Sequence, residues 1–201
     1  MPENVREAMI EAAWLLIAER GLEGMSTREV LARTGAPRGS VYHYFPRGRT
    51  ELIELAIEYS QRWMQGQIEA IEAKNPDEVT AGYIDIWRRV LEATNFHAGC
   101  AAVGVVTGGH DPAILDRAAT AFTAASDALA TRFQQAGLTA TEATQRATLL
   151  ICAAEGAVIL ARARRSTEPL TLIARRLSTT GTKSPSHAAN VRPNHRASTS
   201  S

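Results

Sequence analysis

The sequence predicts an all-α fold of about nine helices: a small three-helix module at residues 1–48, then a larger helical domain at 49–177. Three observations point there. Apolar residues recur every three or four positions over long stretches. The composition is rich in alanine, leucine, glutamate and arginine, with few β-branched runs. Glycines and prolines punctuate the periodic stretches at positions that suit helix ends. A hydrophobic share of 45% and a charged share of 21% describe an ordinary globule, and 201 residues can bury one full core or a module joined to a larger domain.

The first helix carries Ala8, Met9, Ala12, Ala13, Leu16 and Ile17 on one face, with Glu7, Glu11 and Glu19 opposite, and Gly21 ends it. Ser26 or Thr27 caps a short second helix through Arg33, and Glu29 stands where a capping box with Ser26 would need it. Gly35 breaks that helix and Pro37 opens a third short one, where a missing N–H costs nothing. Pro46 and Gly48 end the third helix, and a long fourth runs from about Thr50 to about Ala73. Beyond Asn75-Pro76, one helix carries Tyr83, Ile84, Trp87, Val90 and Leu91, and a glycine-punctuated apolar stretch follows from His97 to Gly109. Asp111-Pro112 starts a long helix that Gly137 ends; another spans about Thr141 to Arg165, and Glu168-Pro169 starts a last one to about Leu177. From Ser178 the chain has no apolar period, so 178–201 reads as a disordered tail with Lys183, Arg192 and Arg196 as its only charges.

Two short helices joined by a tight glycine-containing turn form a helix-turn-helix pattern, and the local chemistry suits DNA. Arg28, Arg33, Arg38, Arg47 and Arg49 crowd residues 26–50 against the single acid Glu29. Phosphates need such donors. Gly39 removes a side chain where backbone must approach a duplex. Tyr42, His43 and Tyr44 place polar-tipped rings on successive positions, so at least one faces outward.

These residues carry a family resemblance. The stretch MSTREVLARTGAPRGSVYHYFPRGRTELI, Met25 to Ile53, resembles the DNA-binding signature of the TetR family, and the variant FPRGRTEL resembles its LmrA/YxaF-type subgroup. The resemblance implies that the third helix enters the major groove. It implies DNA contacts from Thr27, Gly39, Tyr42, His43 and Tyr44, joined here by Arg28 and Arg38 as phosphate donors. It also implies a phosphate contact at Arg49, where lysine is commoner, and it puts one contact in doubt at Pro37, where serine is often found. Further implications are a homodimer on double-stranded operator DNA, a small-molecule effector bound by the larger domain, and control of drug-efflux genes. Two recognition helices must meet half-sites about 34–36 Å apart, which gives dimerisation its reason.

In the larger domain, Tyr83, Trp87, Phe96, Cys100, Val103 and Phe122 are candidates to line a cavity between helices, with Val106 and Leu129 beside them. Glu155 interrupts the apolar run LLICAAEGAVILA. Either it recognises a cationic or hydroxylated ligand, or another helix or an arginine satisfies it. Gly156, Ala157, Leu160 and Arg164 on the eighth helix, with the small Ala161 and Ala163, and Leu170, Ile173 and Leu177 on the ninth, suggest a four-helix dimer interface.

Other classes fare poorly. His97 and Cys100 have His-x-x-Cys spacing and His110-Asp111 could add ligands, yet no second paired motif follows and no base, nucleophile and orienting group stand at a recognised spacing. No catalytic residue, metal site or cofactor is therefore expected, and Asp111 reads as a helix cap. Acids and arginines interrupt the early apolar residues, so no signal peptide is expected, and the apolar run at 149–161 is too short to span a bilayer. Cys100 and Cys152 read as reduced core cysteines of a cytoplasmic protein. A net charge of +1 leaves partners to be read from local patches.

Overall fold

The computed structural model describes residues 5–178, and among them the chain forms helices and no strand. The tail expected at 178–201 lies, apart from Ser178, outside the described residues. The helices are α1 (Val5–Gly24), α2 (Thr27–Thr34), α3 (Ser40–Tyr44), α4 (Arg49–Glu69), α5 (Pro76–Ala93), α6 (Ala101–Gly108), α7 (Pro112–Gln135), α8 (Ala140–Arg164) and α9 (Glu168–Leu177).

Cap chemistry sets most of the boundaries. Ser26 accepts the Glu29 N–H at the start of α2, and Gly35 ends that helix in the left-handed region at φ 67°. The Glu29 carboxylate turns away from a capping box and pairs with Arg20 at 3.3 Å. Asn75 and Asp111 cap α5 and α7, each followed by a proline in the first turn, and Thr139 with Glu142 forms a full capping box on α8. In α1 the helical path breaks at Gly21 (φ 73°, ψ −178°) and resumes briefly to Gly24, so the expected stop is an interruption.

Two further boundaries differ from the sequence expectation. The third helix opens at Ser40, because Pro37 instead begins a turn closed by the Ser40 N–H on the Pro37 carbonyl at 3.0 Å. The fourth helix ends four residues early. Ile71 folds back onto α5 at Gly82, where an added Cβ would lie 2.7 Å from the isoleucine, and this draws residues 70–75 off the helix axis.

The helices share two apolar cores. The first joins α1, α2 and α3 to the start of α4, to α6 and to the first half of α7, around Met9, Leu16, Phe45, Leu52 and Val105. The second joins the end of α4 to α5, the second half of α7, α8 and α9, around Tyr83, Trp87, Leu129, Phe133 and Leu150. Cys100 and Phe122 border both. Among the described residues no helix is long and apolar enough to cross a membrane.

Candidate DNA-reading head and effector cavity

The arginines of residues 26–50 fall into two groups. Arg33 pairs with Glu19 of α1, and Arg47 makes a two-point contact with Glu54 at 3.1 and 2.6 Å. Arg49 donates from Nε to the Met25 carbonyl at 3.0 Å and from Nη2 to the Leu22 carbonyl at 2.7 Å. Its guanidinium thus ties the start of α4 to the turn between α1 and α2, a task not foreseen for the expected phosphate contact. Arg28 and Arg38 are exposed and have no partner among the described residues. They stay available to phosphate.

Between them lies the candidate reading surface. Tyr42 is 72% exposed, His43 and Gly39 are exposed, and nothing stands within 4 Å of a Cβ built at Gly39. Thr27 and Tyr44 are half-buried, and the Tyr44 ring meets His43 edge-on at 4.8 Å. Val41 and Phe45, fully buried on the opposite face of α3, hold that short helix to the first core. Thr27, Arg28, Leu31, Gly35 and Arg38 line an open groove beside it. Glu54, 8% exposed, anchors the rim, since its bond with Arg47 holds its carboxyl below the usual range and Arg117 of α7 adds to this at 3.5 Å.

A cavity lies where the two cores meet. Its wall includes Trp14 of α1, Trp63 and Met64 of α4, Tyr83 and Trp87 of α5, Cys100 and Ala101 at the start of α6, Phe122 of α7, and Ile151 and Glu155 of α8. Trp14 stacks at a tilt on Tyr59 and Trp63, with ring centres 5.2 and 5.4 Å away. The free volume is about 50 Å³. That is roughly a third of the ~150 Å³ that admits a benzene ring in a protein core. Anything drug-sized must widen it.

Of the expected lining residues, Tyr83, Trp87, Cys100, Phe122 and Glu155 are brought together. Phe96 and Val103 are not. Phe96, held at φ 61°, faces a surface groove with His97 and Arg162, and Val103 lines a neighbouring opening between α1 and α6 that shares Gly99, Cys100 and Glu155 with the cavity. Leu129 is packed in the second core and Val106 is 51% exposed. Trp14 and Trp63 were missed because each fits a helical core stripe, and no local pattern tells a cavity wall from a packed face.

Glu155 has no arginine or lysine partner among the described residues; the Cys100 thiol is its polar contact. Burial pushes its carboxyl up to about 7. Burial also pushes the Cys100 thiol up, with the nearby Glu155 adding to the effect. Neither cysteine is in a disulfide, and Cys152 is exposed rather than in the core. Among the described residues no three His, Cys, Asp or Glu side chains converge as metal ligands.

The cavity wall is mechanically joined to the reading head. A Cβ on Gly104 would come within 2.8 Å of the Ile17 carbonyl, so α6 packs directly on the α1 backbone. Gly99 N–H donates to the Ala18 carbonyl at 2.9 Å. Arg162 of α8 donates to the Glu19 carbonyl at 2.8 Å and to the His97 carbonyl at 2.6 Å.

The outer face of α8 and α9 exposes large apolar side chains: Leu149 at 53%, Ile159 at 55%, Leu160 at 47% and Leu172 at 49%. Of the residues expected at a dimer interface, Gly156, Leu160 and Arg164 lie on this face, and Ala157 and Ile173 border its groove although Ala157 is itself buried. Leu177 is half-buried and packs inward. Leu170 is the correction. It is fully buried in the second core, because Pro169 and Leu170 form the inner side of α9 while Leu172 takes the outward place.

Comparison with known proteins fits this architecture. Residues 9–56 match the family model for bacterial regulatory proteins of the TetR family, and residues 76–176 match the C-terminal domain of LmrA/YxaF-like transcriptional regulators. An uncharacterised HTH-type transcriptional regulator of Mycobacterium tuberculosis is 41% identical over 87% of this chain and 93% of its own. The uncharacterised HTH-type transcriptional regulator YxaF of Bacillus subtilis is 25% identical over 86% and 92%. Among solved structures, a TetR transcriptional regulator from Legionella pneumophila shares the fold at a TM-score of 0.78 and 17% identity, over 90% of this chain and 99% of that one. The chain belongs to the TetR family of helix-turn-helix transcriptional regulators, in its LmrA/YxaF-like branch, and is a DNA-binding regulator rather than an enzyme.

Proposed function

We propose that the protein is a homodimeric repressor that leaves its operator when a small lipophilic effector enters the cavity, with drug-efflux genes as the targets the subgroup resemblance implies. Arg28, Arg38, Tyr42 and His43 meet the duplex, with Gly39 allowing close approach and Thr27 and Tyr44 at the edge of the contact. Arg49 shapes the head from behind. The apolar outer face of α8 and α9 joins two copies and sets the distance between heads. Two relatives that match under half of this chain are named repressors, which supports the direction of control.

One observation carries the effector reading: Trp14 of the DNA-binding module forms part of the cavity wall. At about 50 Å³ the cavity is closed to drug-sized molecules. An effector therefore binds a widened conformation better than this one, which is the condition for shifting a population. Widening displaces Trp14 and α6, and with them α1.

The test couples two measurements. Screening lipophilic compounds by thermal shift identifies ligands that stabilise the dimer by mass action. Gel shift on genomic fragments selected by the protein then reads operator affinity with and without each ligand. Release by a stabilising compound, lost in Trp14→Ala, is the expected result; stabilising compounds that all leave operator affinity unchanged overturn the reading.

A further inference from the structure

The polar groups of the cavity narrow what it takes. Aromatic rings stand on several sides, from Trp14, Trp63, Trp87, Tyr83 and Phe122. Among them sits Glu155, whose polar contact is the Cys100 thiol, a weak donor held neutral by burial. No cationic side chain offsets it among the described residues. The Trp87 Nε1–H is also buried at this wall without a hydrogen bond of normal geometry, although the Tyr83 hydroxyl is near enough to interact with it. A partly buried carboxyl at an apolar wall and a buried donor, both left without full partners, are unfavourable until something supplies what they lack.

We propose that the cavity takes a lipophilic organic cation, a protonated amine on an aromatic or alkyl body, whose ammonium pairs with Glu155 while the body lies against the tryptophan rings. This rests on the cavity being the effector site and adds the charge of the effector. Two independent features select that charge. A desolvated carboxylate makes its strongest bonds to a charged donor, and the faces of tryptophan and tyrosine attract cations. Both repel anions. A neutral body of the same shape gains the aromatic contacts but leaves Glu155 uncompensated. Because burial holds the Glu155 carboxyl near 7, an arriving ammonium needs to displace its proton only weakly at neutral pH. An acceptor on the same ligand would satisfy the Trp87 N–H.

All three tryptophans of the chain line the cavity, so intrinsic fluorescence reports its occupancy. The experiment titrates full-length protein at pH 8 with phenylbutylamine, which is protonated there, and with phenylbutanol, its neutral counterpart of the same shape. The amine is expected to bind at least tenfold more tightly than the alcohol, and Glu155→Gln to remove that preference while alcohol binding persists. Equal or tighter binding of the alcohol by the natural protein overturns the cation assignment but leaves the effector cavity standing. Preference retained in Glu155→Gln also overturns it. Failure of both compounds to change the fluorescence overturns the cavity reading and the cation assignment together. The comparison of the two compounds on the natural protein decides the point even if the variant does not fold.

Discussion

Replacing Arg49 by alanine separates a phosphate contact from a structural clamp. The side chain donates to two backbone carbonyls, of Met25 and Leu22, at 3.0 and 2.7 Å. A hydrogen bond from a charged group contributes about 1.5–3 kcal/mol when shielded. One of these bonds is part-buried and the other exposed, so water replaces some of the loss and the pair is worth about 2 kcal/mol. For a chain of this length that lowers the melting temperature by about 4–8 °C. The DNA assay supplies the second axis. A phosphate contact contributes about 0.9 to the slope of log affinity against log salt. If Arg49 acts from behind the head, Arg49→Ala weakens operator binding at every salt concentration along a parallel line. Melting is followed by circular dichroism and binding by fluorescence anisotropy over a salt series. An unchanged melting temperature with a slope reduced by about one would refute the clamp and restore the phosphate role.

Tyr42→Ala should lower operator affinity by about tenfold or more in gel shifts while leaving the melting temperature unchanged, since its ring is 72% exposed. Leu160→Glu should convert the proposed dimer to monomer at micromolar concentration in sedimentation velocity. Burying the rest of a leucine that is 47% exposed contributes about 1 kcal/mol. Two-fold symmetry doubles this, so dimerisation weakens by about 30-fold even before the charge is counted. Glu155→Gln should stabilise the unliganded protein above neutral pH. The natural carboxyl, pushed up to about 7, holds its proton in the folded state where the unfolded chain has released it. Stability thus falls as pH rises from about 4.5 to about 7, and urea titrations should show a gap growing to at most about 3 kcal/mol. Glu54→Gln should act in the opposite range. Its lowered carboxyl lends stability above the unfolded value near 4.5 that is lost as pH falls through the folded value, and the variant should lack this acid-limb loss.

Helix boundaries were the most legible part of the molecule, because capping and turn signals are local: Ser26 and Gly35 in the reading head, and Asn75 and Asp111 beyond it, each announce a helix end within four residues. What Arg33, Arg47 and Arg49 do was hidden. Their partners Glu19, Glu54 and the carbonyls of Leu22 and Met25 lie between 7 and 27 residues away along the chain, and charge counting cannot sort a clamp from a free cation. The cavity was legible as a list of candidates and not as a shape. Tyr83, Trp87 and Phe122 have the same helical spacing as Leu129, yet Leu129 is packed solid and the other three face a gap. Glu155 stood out in the sequence, but only the fold shows that no arginine among the described residues pairs with it. Leu170 and Leu172 are two residues apart on α9, and register alone decides which one faces outward.

The first core has a consequence for anyone who would transplant this head onto another regulator. Its apolar residues extend beyond the helix-turn-helix to Leu52, Ile53, Ala56 and Ile57, and on to Ala101, Val105, Ile114 and Ala118. A graft cut at residue 48 would carry Met9, Leu16 and Phe45 to the new host with half of their packing left behind. On the proposed assignment of operator reading to α2 and α3, specificity moves between relatives by exchanging their exposed residues; moving the helices themselves requires the host to rebuild the surface on which they rest.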